Sequence, residues 1–105
     1  MKILRYQHRK ETRYGILDDD GTIRQLVGSP FDSIETDGVF TNLADVRVLA
    51  PVPRPRLIGV GLNYAAHAAE GGKEPPPIPM LFMLPWTTVV GQGDEVVYPV
   101  QGLHI

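Results

Sequence analysis

The chain has 105 residues, with ten basic and twelve acidic side chains and a formal net charge of −2. This balance excludes the basic excess that a nucleic-acid partner or an acidic membrane surface would need. Cysteine is absent, which excludes disulfides, thiolate metal sites and a cysteine nucleophile, and is compatible with a reducing cytosol. No secretory signal or transmembrane-length apolar run is visible. We therefore expect a cytoplasmic globular protein without nucleic-acid or membrane partners.

The first fifty residues carry short strand patterns separated by turn residues. Four runs have the composition of strands: Ile3, Leu4 and Tyr6, then 13–17, 22–27 and 45–49. Asp-Gly closes the segment 18–21 between the second and third runs and predicts a tight hairpin, because Gly tolerates positive φ. Gly28-Ser29-Pro30 ends the third run. Residues 31–43 have no clear period and are predicted to be loop with at most one short helical turn.

The clearest break in the chain is Pro51-Val52-Pro53-Arg54-Pro55. Three prolines among five residues exclude a central strand and favour an extended spacer. We therefore predict a small β domain over 1–50, a proline-rich linker over 51–56 and a second domain over 57–105. The predicted fold class is β-rich α+β.

The second domain begins with a short apolar strand, Leu57–Gly61. Asn63 is predicted to cap an alanine-rich helix over 64–70, which Gly71-Gly72 ends. The proline-rich segment 73–79 is predicted to be an exposed loop. Further strands are predicted over 80–83, 87–90 and 95–98, with a turn over 91–94.

Gly59 and Gly61 follow a strand and precede a helix, as in a dinucleotide-binding fingerprint. That fingerprint needs a third Gly or Ala for close helix packing, and position 64 is Tyr. The pattern therefore favours two glycines that let the backbone turn tightly.

His67 and Glu70 are three residues apart on the predicted helix, so both point to one face. A carboxylate beside an imidazole raises its basicity and orients it to take a proton from water. The spacing alone favours an ordinary surface pair, since such pairs are common and weak.

The remaining polar groups give weaker indications. Glu35 with Asp37, and the adjacent Asp94 and Glu95, are acidic pairs that do not suggest a convergent metal site. Lys73-Glu74 lies in a loop that is either a lid or a solvated connector. His8 and His104 stand alone near the chain ends and are assigned no role.

Residues 57–70, with the sequence LIGVGLNYAAHAAE, resemble the entry to the catalytic domain of the fumarylacetoacetate hydrolase family. The similarity continues through 79–83, 89–94 and 97–99. The first fifty residues resemble the small N-terminal domain of many bacterial members. The resemblance implies that a mixed β-sheet catalytic domain with one short helix begins after the linker.

Members of this family act on small 2-oxo acids. They cleave carbon–carbon bonds in these acids, decarboxylate them or isomerise them. The resemblance therefore implies acylpyruvate hydrolysis, oxaloacetate decarboxylation or 2-hydroxyhepta-2,4-diene-1,7-dioate isomerisation, with Mg²⁺ or Mn²⁺ stabilising an enolate. It assigns His67 and Glu70 to a water-activating catalytic dyad on a helix that orders over the substrate. It assigns Asn63 and Tyr64 to substrate binding, and it implies a homodimer for the complete enzyme.

Two departures from the family pattern stand out. Leu84 occupies a position where the family commonly has a lysine, so a cation that would stabilise an oxyanion is missing. The metal-binding Glu-x-Glu pair is expected just beyond Ile105, so this chain is predicted to contain no metal ligands. We therefore expect the front part of a larger enzyme, inactive by itself. The alternative is a non-catalytic module of the same family that binds a protein partner.

Overall fold

The computed structural model describes residues 1–100, which form seven strands and one α-helix. The strands and helix are β1 Lys2–His8, β2 Glu11–Leu17, β3 Thr22–Leu26, β4 Thr36–Asn42, β5 Arg47–Leu49, β6 Leu57–Gly61, α1 Ala65–Glu70 and β7 Met80–Leu84. Two 3₁₀ turns cover Leu43–Asp45 and Trp86–Thr88. The predicted β-rich class with one short helix is confirmed. The helix has six residues, and none in the described part of the chain is long enough to cross a membrane.

The first five strands form one antiparallel sheet in the order β4-β3-β2-β1-β5. Its core consists of Tyr6, Ile16, Ile23 and Leu26, all buried. The Tyr6 hydroxyl donates to Gln25 Oε1 at 3.3 Å, which satisfies the one polar group of this buried ring. The sheet thus has its own apolar centre.

Gly15 of β2 is required by the packing of this core. A Cβ at this position would lie 2.4 Å from Ile23 Cγ2 and 3.1 Å from Tyr6 Cε1. The side chains of Ile23 and Tyr6 therefore fill the space that a side chain at position 15 would need.

The predicted hairpin between β2 and β3 is confirmed. Gly21 has φ +88°, and its N–H donates to Asp18 O at 3.2 Å. Arg24 donates to both oxygens of Asp18, at 2.9 and 3.0 Å, and this hydrogen-bonded pair lowers the pKa of the Asp18 carboxyl.

The prediction of loop over 31–43 was wrong for its second half, because β4 pairs there with β3. The pairing contains a register shift between Arg24 and Leu26, and β4 is exposed at nearly every position. A strand without a buried face has no period-two alternation, so its sequence carried no strand signal.

The second sheet is the antiparallel pair β6-β7, in which Gly59 lies opposite Phe82. All five residues of β7 are exposed, and Ala68 of α1 is buried. Strands predicted over 87–90 and 95–98 do not form: a 3₁₀ turn covers Trp86–Thr88, and residues 95–98 have no regular secondary structure. Apolar composition alone does not make a strand, since a strand also needs a neighbouring edge. The turn predicted over 91–94 is present, with Asp94 N–H donating to Gly91 O at 3.2 Å.

The chain divides into two compact units. One contains Met1–Pro53 together with the segment that begins at Val90, and the other is Arg54–Val89. The predicted boundaries at residues 50 and 56 remain a proposal.

Candidate functional site

The candidate site lies where β6 leads into α1. Leu62 connects them and adopts φ +51°, a left-handed conformation that is strained for a branched side chain. Asn63 and Tyr64 follow, and Tyr64 is extended, with φ −115° and ψ 130°. Strain of this kind often occurs at functional sites, and it turns the chain sharply before the helix begins.

The two glycines of β6 do not make that turn, so the expected role for them was wrong. Neither Gly59 nor Gly61 has a positive φ, and both lie within β6. A Cβ on Gly59 would lie 2.4 Å from Phe82 Cζ, and one on Gly61 would lie 2.9 Å from Met80 Cε. Gly59 and Gly61 leave space for side chains of β7, which explains them without a nucleotide.

The predicted cap of the helix was also wrong. Tyr64, not Asn63, is the N-cap residue of α1, and it makes no side-chain capping hydrogen bond. The predicted end of the helix is confirmed. Gly72 has φ +65°, its N–H donates to Ala69 O at 2.9 Å, and Lys73 N–H donates to Ala68 O at 2.9 Å. This is a Schellman motif, which holds the last turn without help from side chains.

His67 and Glu70 lie on successive turns of α1, with the buried Ala68 between them in sequence. Both side chains are exposed, and no hydrogen bond or ion pair joins them within residues 1–100. The helix therefore presents an imidazole and a carboxylate to the same side, open to a reactant, without an interaction that would fix their geometry.

A cavity of about 210 Å³ lies beside the amino end of α1. Its wall includes Asn63 and Leu62, and the proline-rich loop supplies the opposite side: Pro75, Pro76, Pro77 and Pro79. Tyr64 is 72% exposed and does not line this cavity. The structure therefore brings Asn63 to a cavity and leaves Tyr64 at the surface.

The return of the proline-rich loop onto the end of β6 was not predicted. The prolines indicated a loop, and the loop is present and mostly exposed. No local pattern indicated that Pro75 to Pro77 would line a cavity with Asn63, because that contact depends on the β6-β7 pairing, which places the β7 end of the loop opposite Gly61.

The described residues do not form a site for a divalent cation. No group of three or more His, Asp or Glu side chains converges within residues 1–100. Asp37 accepts hydrogen bonds from Val39 N–H at 2.9 Å and Gln25 Nε2 at 2.6 Å, which lower its pKa. Mg²⁺ and Mn²⁺ prefer several converging oxygen ligands, and these residues do not fit one.

Asp94 is likewise engaged in structure. Arg47 donates to its Oδ1, Gly91 N–H donates to Oδ2 at 2.7 Å, and these two bonds lower the pKa of the carboxyl. Glu35, Glu95 and the loop pair Lys73-Glu74 are exposed. His8 is half-buried on β1, and His104 lies outside the described residues.

Comparison with known proteins gives two family matches that together cover almost the whole chain. Residues 1–51 match the model described as Rv2993c-like, N-terminal, and residues 56–105 match Fumarylacetoacetate (FAA) hydrolase C-terminal. Protein Rv2993c from Mycobacterium tuberculosis is 38% identical over 78 residues, which cover 74% of this chain and 29% of that protein.

Two relatives with named activities extend the similarity. The 2,4-didehydro-3-deoxy-L-rhamnonate hydrolase of Sphingomonas sp. (strain SKA58) is 33% identical, and the match covers 99% of this chain and 40% of that enzyme. The crystal structure of 5-carboxymethyl-2-hydroxymuconate delta-isomerase from Mycobacterium smegmatis is 31% identical with a TM-score of 0.70, over 86% of this chain and 35% of that one.

The chain thus spans two fifths or less of the length of these relatives. The two family matches and the shared fold lead to one conclusion: this chain belongs to the fumarylacetoacetate hydrolase family.

Proposed function

We propose that this chain supplies the water-activating helix of an enzyme that hydrolyses, decarboxylates or isomerises a small 2-oxo acid. The proposal rests on the placement of His67 and Glu70 on one exposed side of α1. The chain's family relatives include hydrolases and isomerases. The relatives' names support a small-molecule substrate.

In this proposal Glu70 orients the His67 imidazole, and the imidazole takes a proton from water. An i, i+3 pair on a helix is close enough for that contact once the side chains adopt suitable rotamers. The open arrangement in the structure fits a dyad that closes on a bound reactant, since catalytic hydrogen bonds are often loose without ligand. Asn63 is proposed to hold the substrate from the cavity wall and Tyr64 from the adjoining surface.

The complete enzyme is proposed to use Mg²⁺ or Mn²⁺, with ligands outside the described residues, because those residues lack a converging carboxylate set. We propose a cytoplasmic homodimer for it. The 105-residue chain by itself is proposed to be inactive.

A chimera tests the proposal. Residues 1–100 replace the matching part of the Sphingomonas hydrolase, and oxaloacetate decarboxylation and acylpyruvate hydrolysis are measured with Mg²⁺ and with Mn²⁺. We expect activity, and we expect His67→Gln and Glu70→Gln each to lower kcat by roughly 10²- to 10⁴-fold, as loss of general base catalysis does.

Glu74→Gln is the matched control, because Glu74 is an exposed carboxylate on the neighbouring loop. Its kcat should remain unchanged. A chimera that is fully active after loss of either His67 or Glu70 would disprove the dyad. Turnover by the 105-residue chain alone would disprove its proposed inactivity.

The exposed apolar side chains of β6 and β7 favour a second candidate, a non-catalytic module that binds a protein partner. This candidate requires the chain alone to unfold cooperatively and to form a defined oligomer or complex. Sedimentation equilibrium and urea unfolding measure both properties, and aggregation without a transition would exclude it.

A further inference from the structure

The N-terminal sheet carries a small cavity on the face that bears Ile3, Arg5 and Tyr14. Arg5 lies opposite Tyr14 in the β1–β2 register, and Ile3 lies two residues before Arg5, so these three side chains leave the same face of the sheet. The cavity has a volume of about 250 Å³, and its lining residues all belong to the unit that contains Met1–Pro53. An apolar cavity of about 150 Å³ accommodates benzene, so this one has room for a single ring with a short substituent.

Two segments outside the strands form the walls of this cavity, and hydrogen bonds hold each of them. The first wall is the loop after β3, where Phe31 N–H donates to Ser29 Oγ at 3.3 Å. The second wall is residues 51–52, which follow β5. Arg5 Nη1 donates to Ala50 O at 3.3 Å and so ties the start of this second wall to β1. The cavity is therefore built from ordered backbone on more than one side.

Most of the lining is apolar and accessible. Phe31 is 72% exposed, and Ile3 and Val52, which lie around the same cavity, are 37% and 36% exposed. Pro30 and Pro51 add rigid apolar surface to the two walls. Concave apolar surface of this kind, interrupted by a few polar groups, is typical of small-molecule sites. The apolar body of a ligand would therefore find contacts on the floor and on both walls.

Arg5 is the charged group of this cavity, and it has no carboxylate partner. It is half-buried, its side chain donates only to Ala50 O, and no ion pair joins it to another residue within 1–100. Asp32, which follows Phe31, is exposed and does not line the cavity. Three other arginines of the same sheet each pair with a carboxylate: Arg13, Arg24 and Arg47. Because a guanidinium that has lost part of its water gains from a charge-assisted hydrogen bond, the cavity favours an anionic ligand.

We propose that this cavity binds a small organic carboxylate that carries one compact apolar group of the size of a phenyl ring. The carboxylate accepts from Arg5, whose guanidinium has five N–H donors and keeps several of them after its bond to Ala50 O. The ring packs against Ile3 and Phe31. No residue of the Arg54–Val89 unit takes part, so the inference does not depend on the proposed role of α1.

Phenylacetate is the probe, phenylacetamide is its neutral counterpart, and acetate is the carboxylate without the ring. Amide chemical shifts of the ¹⁵N-labelled 105-residue chain are followed during titration with each compound. We expect saturable shifts at Ile3, Arg5 and Phe31 with phenylacetate. The other two compounds should bind at least about tenfold more weakly, since one lacks the charge and the other lacks the apolar area. If the chain alone aggregates, the metal-free chimera described above is titrated instead, and the binding lost in its Arg5→Gln variant is the binding at this cavity.

Arg5→Gln should weaken phenylacetate binding about tenfold, the range of a hydrogen bond to a charged group. Phe31→Ala should weaken it about two- to tenfold, and because Phe31 is 72% exposed its loss leaves the fold intact. Arg13→Gln is the matched control, because Arg13 lies opposite Tyr6 and so leaves the other face of the sheet, where it pairs with Glu11. Equal affinity for phenylacetamide, an unchanged affinity in Arg5→Gln or in Phe31→Ala, or an equal loss in Arg13→Gln would each overturn the proposal.

Discussion

The two units of this chain use similar short strands and reach opposite outcomes. The N-terminal sheet has five strands and buries four large side chains, Tyr6, Ile16, Ile23 and Leu26. The β6-β7 pair, although it is rich in large apolar residues, leaves all five residues of β7 exposed. An isolated two-stranded pair cannot enclose an apolar side chain, whereas three or more strands can. The number of neighbouring strands, more than strand composition, decides which unit has a core.

The apolar run of β7 is typical of a strand that is covered on both faces. Its exposure therefore fits the expectation that a larger mixed β-sheet domain begins with this unit. The N-terminal sheet needs no such addition to explain its side chains.

The largest expected effect separates the two units directly. Tyr6→Ala should reduce the free energy of unfolding by about 3–5 kcal/mol, because it empties the centre of the N-terminal sheet. Phe82→Ala should cost about 1 kcal/mol or less, because Phe82 is 48% exposed. Urea unfolding followed by circular dichroism measures both. Similar losses would show that the two units share one core.

Gly15→Ala sharpens the comparison within the sheet. We expect a loss of about 1–3 kcal/mol, since the new methyl group would lie 2.4 Å from Ile23 Cγ2 and 3.0 Å from the Arg24 carbonyl oxygen. Gly28→Ala is the control, because no atom lies within 4 Å of a Cβ there. Thermal unfolding of the two variants should differ, and equal midpoints would contradict the close packing at Gly15.

Substitutions of Asn42 and Asn63 test whether each asparagine caps the helical turn that follows it. Asn42→Ala should cost about 1 kcal/mol, because Asn42 Oδ1 accepts from Ala44 N–H at 2.9 Å at the start of a 3₁₀ turn. Asn63→Ala should change stability by less than about 0.5 kcal/mol, because Asn63 does not cap α1. A larger loss at Asn63 would reinstate the capping role that its position in the sequence suggested.

The smallest expected effect is a pH dependence confined to the N-terminal sheet. Hydrogen bonding to Arg24 lowers the pKa of Asp18 from 3.8, so the folded state favours the charged carboxylate. The resulting stabilisation is present above pH 3.8 and is lost as the pH falls through the lower, folded-state pKa.

Arg24→Gln should therefore reduce the difference between urea midpoints measured at neutral and acid pH. Lys2→Gln is the control for this difference between midpoints. It should change the difference less than Arg24→Gln does, because Asp19, the partner of Lys2, is 95% exposed. An equal acid sensitivity in Arg24→Gln and the parent chain would assign the effect to other carboxylates.

Local signals predicted most of the strands and both ends of the candidate site. The Asp-Gly turn before Thr22, the strand Leu57–Gly61 and the glycine end of α1 each depend on a few adjacent residues, and all three are present. β4 escaped prediction because it is exposed and depends on an edge supplied by β3. Residues 95–98 show the converse of β4: their composition is that of a strand, but the structure has no strand there.

At the candidate site the spacing of His67 and Glu70 determined that both lie on one side of a helix. Whether they touch, and which loop faces them, was not determined, since rotamers and the return of the proline-rich loop depend on contacts between distant residues.

The sequence by itself determined the family, the β-rich class, the tight turns and the helical spacing of His67 and Glu70, because each follows from neighbours within a few positions. Only the tertiary structure decided that Gly59 makes room for Phe82 and that Asn63 lines a cavity. Strand pairing joins residues far apart in the chain, and no local pattern records which strands will pair.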